Sequence, residues 1–208
     1  GPGDQSALRE LNLRGAVERR GGLIQRAIFA EVGGIAGPVR TDRLVLDLLE
    51  ISRYDAGANT LALEPVDLES FVRDLVGALD PAPVLVRRAP PNPTLVDKRR
   101  LERILVNLID NARVHAGGVR AVDIDAVGDY VEIGVADEGS GIRDAERTLI
   151  FERFWRGSST RHSGSRGTGL GLALVAEHAR LHGGSVRVEN AEPHGSRFVL
   201  RLPVRARA

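Results

Sequence analysis

Apolar residues recur at helical spacing early in the chain, between Thr41 and Tyr54, and predict a helix with one hydrophobic face. Its apolar positions are Leu44, Val45, Leu48, Leu49 and Ile51, and its opposite face carries Asp42, Arg43, Asp47, Glu50 and Arg53. Gly37-Pro38 just before it is a natural helix break, so we predict a hairpin of two helices that ends near Gly57. A helix with such a stripe needs a partner, which favours a homodimer formed through a helical bundle.

Three further helices are predicted in the rest of the chain. Asp67 can cap a short helix from Leu68 to Leu79, and Asp97 can cap a second, strongly periodic helix. The buried stripe of that second helix is predicted to be Leu101, Ile104, Leu105, Leu108, Ile109 and Ala112. The third helix is expected from Leu170 to His182, after a glycine-rich stretch.

Short runs with a period of two predict strands between these helices. The strands are expected at about Val84 to Val86, Arg120 to Val127, Tyr130 to Ala136, Ser185 to Glu189 and Ser196 to Leu202, with the last two turning at Pro193-His194-Gly195. Helices and mostly antiparallel strands in this order favour an α+β fold, in which one helical layer packs on one sheet.

The composition of the 208 residues argues against several classes of protein. Lys and Arg total 29 against 28 Asp and Glu, so no overall field attracts nucleic acid, and we expect no nucleic-acid partner. The lack of cysteine in the sequence removes disulfides, thiolate zinc sites and cysteine nucleophiles together, and fits a reducing compartment such as the cytoplasm. The sequence has no run of about 18 apolar residues, so no membrane span is predicted.

Two asparagines lie beside the apolar stripe of the helix in LERILVNLIDNARVHA. Asn107 and Asn111 are separated by roughly 40° around the helix axis, which places both amides at the edge of the stripe. Neutral oxygen ligands of this kind suit Mg²⁺, which keeps waters and is shared with phosphates. The alternative is that the pair makes ordinary surface or interhelical hydrogen bonds.

A carboxylate ends the predicted strand in VEIGVADEGSGI. Val131, Ile133, Val135 and Asp137 share one face by the period of two, so Asp137 is expected at the mouth of the core. Gly139 and Gly141 allow positive φ and close approach of a flat ligand, whose exocyclic amine could donate to Asp137. The alternative is an ordinary polar turn.

Two further segments carry unusual residues. FERFWRGSS holds two of the five phenylalanines and the only tryptophan, which indicates either a flap over a ligand or a small satellite core under a loop. Glycines at 164, 167, 169 and 171 gather backbone N–H groups where a helix begins, which favours an anion such as phosphate. The segment lacks the Lys-Ser/Thr of a P-loop and the preceding strand of a dinucleotide-binding motif, and a flexible linker is the alternative.

These four blocks, in this order, resemble the ATP-binding catalytic domain of sensor histidine kinases, in the superfamily shared with gyrase, Hsp90 and MutL. NLIDNA is similar to the N box of that family, DEGSGI to its first glycine box, FERFWRG to its F box and GTGLGL to its second glycine box. The similarity covers about Val66 to Pro203. DLLEISRYDAG, residues 47–57, also resembles the end of the second helix of the dimerisation domain that precedes this module.

The resemblance implies a fold, a division of the chain and an activity. The fold is an α+β two-layer sandwich that binds ATP, preceded by an N-terminal helical hairpin, with a dimerisation-like segment at residues 1–60 and the catalytic domain at 61–208. The activity is that of a protein-histidine kinase, which binds Mg·ATP and transfers the γ-phosphoryl group to a histidine, for relay to an aspartate of a cognate response regulator. The whole protein would be anchored in the cell membrane, with this part in the cytoplasm.

The resemblance also implies roles for individual residues. It assigns Asn107 and Asn111 to Mg²⁺ and phosphate contacts, Asp137 to the adenine amine, and Gly139 and Gly141 to the adenine pocket. It assigns Gly167, Gly169 and Gly171 to a mobile lid that closes on the phosphates. Phe151 and Phe154 would anchor the lid, and Arg161 would be a phosphate partner in it. The remaining ATP-binding positions that it implies are His115, Ile142, Thr168 and Leu170.

Two departures from the family pattern bear on activity. The five histidines are at 115, 162, 178, 182 and 194, and the sequence before residue 100 has none, so the phosphoacceptor box on the first dimerisation helix is missing. Val114 stands where many N boxes have Lys or Arg. We therefore expect the chain to bind nucleotide without phosphorylating its own dimerisation segment.

Two alternatives to a kinase remain at this point. The first is a nucleotide-responsive regulatory or dimerisation module without transfer activity, which the missing acceptor and Val114 favour. The second is an anti-sigma-type serine kinase of the same superfamily, against which the dimerisation-like helix argues.

Three of the histidines have local explanations. His115 ends the N-box helix, where packing or a nucleotide contact is expected rather than phosphorylation. His178 and His182 have the i,i+4 spacing of a metal pair, but the sequence offers no evident third ligand. We therefore expect them to form a solvated helix end beside Gly183-Gly184.

Overall fold

The computed structural model describes residues 38–55, 60–80, 82–155 and 168–204. The chain divides into two compact units, residues 1–56 and 57–208. Within the described residues, none of the helices combines the length and the hydropathy required to cross a bilayer.

The described part of the first unit is a single helix, α1, Pro38–Asp55. It begins at a proline, whose fixed φ and missing N–H suit the first turn, and it contains the predicted range Thr41 to Tyr54. The buried face differs from the expected one, because Asp47 is only 3% exposed whereas Leu49 is 41% exposed. Of the side chains that the structure describes in this helix, those of Asp47, Ile51 and Tyr54 are buried. The other helix of the predicted hairpin lies outside the described residues.

The second unit contains three α-helices and seven strands among its described residues. The helices are α2, Leu68–Leu79, α3, Lys98–His115, and α4, Gly171–Leu181. The strands are β1, Glu64–Val66, β2, Val84–Arg88, β3, Thr94–Val96, β4, Val119–Val127, β5, Tyr130–Asp137, β6, Ser185–Asn190, and β7, Ser196–Pro203. Two short 3₁₀ turns, Asp144–Glu146 and Leu149–Phe151, follow β5.

Five of the strands form one mixed sheet in the order β2-β4-β5-β7-β6. β2 runs parallel to β4, and the other neighbours are antiparallel, which confirms the mostly antiparallel sheet expected from the sequence. β1 and β3 form a separate two-stranded sheet that was not predicted. Each has only three residues, which is too few to show an alternating pattern.

Both predicted caps are present at the starts of α2 and α3. The Asp67 carboxylate accepts from the backbone N–H of Ser70 at 3.0 Å, and that of Asp97 accepts from Arg100 N at 3.1 Å. These bonds satisfy backbone donors that have no partner within a helix. They define where α2 and α3 begin.

One face of the five-stranded sheet packs against the helices, which places the core between two layers. The predicted stripe of α3 is buried as expected, at Leu101, Ile104, Leu105, Leu108, Ile109 and Ala112. It meets the inward rows of β4, β5 and β7. The α+β, two-layer arrangement of this unit is therefore as predicted.

Paired charges cover the opposite face of the sheet. Arg197 forms a bidentate pair with Asp123 and also contacts Glu189, and these carboxylates raise its pKa. Arg187 bridges to Glu132 at 3.0 Å, and the Arg201 guanidinium lies 4.0 Å from the centre of the Tyr130 ring. On this face the guanidinium groups are therefore paired with carboxylates or stacked on an aromatic ring.

Truncating the core face of α3 is expected to be costly. Leu108 is fully buried, so Leu108→Ala should lower the free energy of unfolding by about 3 kcal/mol through lost burial and a residual cavity. Val114 lies on the same helix, and its apolar side chain is 57% exposed. Val114→Ala should therefore change the free energy of unfolding by less than about 0.5 kcal/mol. Urea unfolding measures the free energy of unfolding of both variants. Equal losses would contradict the assignment of the core face.

Candidate functional site

Asp137 ends the inward row of β5 and is the centre of the candidate site. Val131, Ile133 and Val135 precede it on the same buried face, and Asp137 itself is only 3% exposed. One carboxylate oxygen, Oδ1, accepts hydrogen bonds from the backbone N–H groups of Gly139 and Ser196, both at 2.9 Å. Within the described ranges, Oδ2 accepts no hydrogen bond. The carboxylate is thus held by one oxygen and offers the other as an acceptor.

The turn between β6 and β7 forms a wall beside Asp137. A Cβ added to Gly195 would lie 2.2 Å from the Asp137 carbonyl oxygen, and the φ of Gly195 is +98°. Only glycine allows this approach. Arg120 also holds the turn, because its Nη1 donates to the His194 carbonyl at 2.8 Å.

Ser196 is a site residue that sequence reasoning missed. The segment was recognised as a hairpin turn, but its contact with Asp137 joins positions far apart in the chain. The glycine immediately before a polar residue at the start of a strand was the only available signal. The backbone N–H of Ser196, rather than its side chain, donates to the Asp137 Oδ1.

The two glycines of the first glycine box serve different purposes. Gly141 has a φ of +80°, as expected for a turn that only glycine makes without strain. Gly139 is not in the left-handed region, but a Cβ there would lie 2.8 Å from the Ala116 Cβ. It therefore permits close contact with the end of α3. Ile142, which follows, is half-buried and packs against the core.

Three predicted site residues lie along the second half of α3, from the core to the surface. Asn107 is 5% exposed, Asn111 one turn later is half-buried, and His115 at the end of the helix is exposed. The Asn107 Oδ1 lies 3.5 Å from the position that a Cβ on Gly171 would take. The first amide of the pair therefore faces the N-terminus of α4.

Gly171 is the first residue of α4, and a buried leucine precedes it. Leu170 is fully buried, and its backbone N–H donates to the Thr168 Oγ1 at 3.3 Å. The start of α4 has no side-chain cap. Its first N–H groups lie next to Asn107, an arrangement that favours anions.

The F box meets the second glycine box through the backbone. The Phe154 N–H donates to the Gly169 carbonyl at 2.9 Å, and both residues have positive φ, +63° and +70°. A Cβ on Gly169 would lie 2.8 Å from the Phe154 backbone carbon. Phe154 is 58% exposed as a whole residue, whereas Phe151 packs edge-on against Phe198 with ring centres 6.4 Å apart. We name the Phe154–Gly169 hydrogen bond the backbone clasp.

The structure thus gathers three predicted blocks around one location: the second half of α3, the end of β5 with its glycine turn, and the start of α4. Two predicted site residues, Arg161 and Gly167, lie outside the described residues. Phe154 approaches the site through its backbone rather than its ring.

The expectation that His178 and His182 form a solvated helix end is wrong. Their exposed fractions are 0% and 3%. The His182 Nε2 accepts from the Asp97 backbone N–H at 3.2 Å, so the end of α4 is buried against the start of α3. Among the described residues, none of the His, Cys, Asp or Glu side chains form a group of three that could hold a metal ion.

Comparison with known proteins gives a consistent result. The profile of the family described as histidine kinase-, DNA gyrase B-, and HSP90-like ATPase matches residues 96–206. The sensor histidine kinase MtrB of Mycobacterium tuberculosis is 42% identical over 174 residues, which are 79% of this chain and 30% of that protein. The chain therefore spans about a third of the length of the curated relatives it matches.

Solved structures show the same likeness. The ATP-binding domain of PrrB from Mycobacterium tuberculosis is 32% identical, with a TM-score of 0.52, and the match covers 69% of this chain and 98% of that one. Full-length ShkA in complex with AMPPNP is 27% identical, with a TM-score of 0.69, and the match covers 99% of this chain and 46% of that one.

Proposed function

Because the chain belongs to the histidine kinase-, DNA gyrase B- and HSP90-like ATPase family, as a sensor histidine kinase catalytic domain, we propose that it binds Mg·ATP and presents the γ-phosphoryl group to a histidine. The observation that carries the proposal is the Asp137 carboxylate, with Oδ1 held by two backbone amides. The other oxygen is the acceptor that an adenine amine requires.

The adenine end of the nucleotide is proposed to lie between the first glycine box and the β6–β7 turn. Asp137 accepts from the exocyclic amine, and Gly139, Gly141 and Ile142 line the pocket. The absence of side chains at the glycines lets a flat heterocycle lie against the backbone. The absence of a side chain at Gly195 lets the β6–β7 turn approach the Asp137 carbonyl oxygen and form the pocket wall.

The phosphate end is proposed to lie between Asn107, Asn111 and the start of α4. The N–H groups of Gly169 and Gly171 and the Thr168 hydroxyl suit anionic oxygens. His115, Phe154 and Leu170 border this region, and Gly167 and Arg161, outside the described residues, complete the proposed set.

The two amides fit a magnesium ion that is shared with phosphates. They offer two neutral oxygens one helical turn apart, next to a helix N-terminus, and leave the other coordination positions to water and phosphate. When bound, Mg²⁺ would neutralise charge on the phosphates. The protein's own part in phosphoryl transfer is then positioning, because that reaction depends mainly on alignment and charge.

The acceptor is proposed to lie on another segment or chain. His178 and His182 are buried and hydrogen-bonded within the fold, which makes them unsuitable nucleophiles. In the transfer, an imidazole nitrogen forms a bond to the γ-phosphorus while the bond to the β–γ bridging oxygen breaks and ADP leaves. A stable phosphohistidine on this chain alone after incubation with labelled ATP would argue against this assignment.

The remaining features of the whole protein are proposals from the family. Residues 1–60 are proposed to be a dimerisation-like segment and 61–208 the catalytic domain, with a homodimer formed through the helical segment. The phosphoryl group would pass to a cognate response regulator. The full-length protein would be anchored in the membrane, with this part on the cytoplasmic side.

The proposed magnesium ligands can be tested by calorimetry. Asn111→Ala should lower the affinity for Mg·ATP about tenfold, which corresponds to about 1.4 kcal/mol. It should also reduce the difference between ATP affinity with and without Mg²⁺, since an amide ligand is lost. Val114→Ala, on the same helix, is the control and should retain that difference. Affinity that does not depend on Mg²⁺ in the unaltered chain would contradict the metal assignment.

A further inference from the structure

Asp97 lies where three segments of the second unit meet. It caps α3, it contacts the end of α4, and it holds the chain that precedes β1. We call this cluster the Asp97 junction, formed by the side chains of Asp97, Arg100, His178 and His182 and the backbone of Thr60 and Ala62.

The Asp97 carboxylate holds both α3 and the preceding segment. Its Oδ1 caps α3 through Arg100 N at 3.1 Å. Its Oδ2 accepts from Ala62 N at 3.0 Å and from Arg100 Nε at 3.2 Å. The Arg100 Nη2 also donates to the Thr60 carbonyl at 3.5 Å. Residues 60–62 are therefore fastened to the first turn of α3 by one carboxylate and one guanidinium.

His182 completes the junction in one protonation state. Its Nδ1 lies 2.8 Å from the His178 carbonyl oxygen, which only accepts, so Nδ1 carries the proton. Its Nε2 lies 3.2 Å from the Asp97 backbone N–H, which only donates, so Nε2 must be unprotonated. The observed geometry therefore requires a neutral imidazole.

Among the described residues, both helices contribute charged or titratable groups beside His182. Asp97 and Arg100 face it from the start of α3, and His178 faces it from α4. Burial lowers the pKa of His182, and Arg100 and His178 act in the same direction, while the His178 carbonyl and the Asp97 carboxylate oppose them. Burial alone would raise the pKa of Asp97, but the amides of Ala62 and Arg100 hold it below its ordinary value.

We propose that the Asp97 junction is an acid-released fastener, which fixes residues 60–62 to the N-box helix while His182 is neutral and frees them when His182 takes up a proton. A proton on Nε2 would face the Asp97 N–H, donor against donor. The Asp97 carboxylate would then attract the imidazolium and be drawn from the Ala62 N–H. The first contact to break is therefore the hydrogen bond between the Ala62 N–H and the Asp97 carboxylate.

The direction of the pH effect follows from the lowered pKa. As the pH falls, an unfolded or opened chain, in which histidine titrates near its ordinary value of 6.5, binds a proton before the closed junction does. The stability that neutral His182 contributes is present above that value and is lost as the pH falls through the folded-state pKa. Release of residues 60–62 would add them to the segment that connects the two units, and the length of such a connection sets the effective concentration of the sites it joins.

An NMR pH titration of the full chain tests the proposal. Between about pH 7.5 and pH 5, the amide protection of Ala62 should fall by about tenfold or more, with the same midpoint as the His182 ring signals. Amides of the central sheet, such as that of Ile133, should keep their protection, because only the junction opens.

His182→Gln is the matched control. The Gln side-chain carbonyl can still accept from the Asp97 N–H but does not titrate, so the acid step at Ala62 should disappear while the protein stays folded. The proposal is overturned if Ala62 and His182 titrate with different midpoints, if the step persists in this variant, or if Ile133 loses protection at the same pH. Should the variant not fold, the comparison of Ala62, His182 and Ile133 in the unaltered chain decides by itself.

Discussion

Asp137→Asn is expected to lower the affinity for Mg·ATP by about 50-fold, because a hydrogen bond to a charged acceptor contributes about 1.5–3 kcal/mol. The Asn carbonyl can still accept from Gly139 and Ser196, so the turn should persist. The amide nitrogen then takes the place of the second oxygen. It donates towards the adenine amine, which is itself a donor, and the pair repels instead of binding.

Calorimetry with a matched control isolates this effect. Glu138→Gln removes the same charge at the next residue, whose side chain is exposed, and should leave the affinity almost unchanged. Circular dichroism should show both variants folded. Unaltered affinity in Asp137→Asn would refute the adenine assignment and with it the proposed orientation of the nucleotide.

Gly195→Ala is expected to lower the free energy of unfolding by about 3 kcal/mol or more. Its Cβ would lie 2.2 Å from the Asp137 carbonyl oxygen, and backbone cannot rotate away as a side chain can. The left-handed φ of +98° adds strain. Since the wall beside Asp137 must shift, nucleotide affinity should fall as well.

Gly128→Ala separates the two causes of that loss. Gly128 also has a positive φ, +60°, but a Cβ there would have no atom within 4 Å. Gly128→Ala should therefore lower the free energy of unfolding by about 1 kcal/mol, because it adds backbone strain alone. It should leave nucleotide binding intact. Urea unfolding of both variants gives the comparison, and equal losses would show that the contact with Asp137 carries no energy.

Local sequence rules predicted most of the second unit because its main elements are locally determined. The caps at Asp67 and Asp97 and the stripe of α3 depend on residues within a few turns of one another. The inward row that ends at Asp137 follows from the period of two alone. The four blocks of the site are recognisable for the same reason, since each is contiguous in sequence.

The failures involve contacts between distant residues. His178 and His182 have polar side chains at a helix end, which favours exposure, but packing of α4 on α3 buries them. Ser196 reaches Asp137 only when β7 pairs with β5. Asp47 was assigned to a polar face, and the helical pattern alone does not reveal that its side chain is buried.

The backbone clasp has a consequence for how the chain can vary. Because Phe154 and Gly169 meet in a hydrogen bond, the two ends of the stretch between them are fixed at one point of the domain. In polymer terms that stretch is a closed loop, and doubling the length of such a loop costs only about 0.6 kcal/mol of closure entropy. A longer or shorter connection would therefore change this closure entropy only slightly, whereas a side chain at Gly169 would collide with the Phe154 backbone and break the clasp.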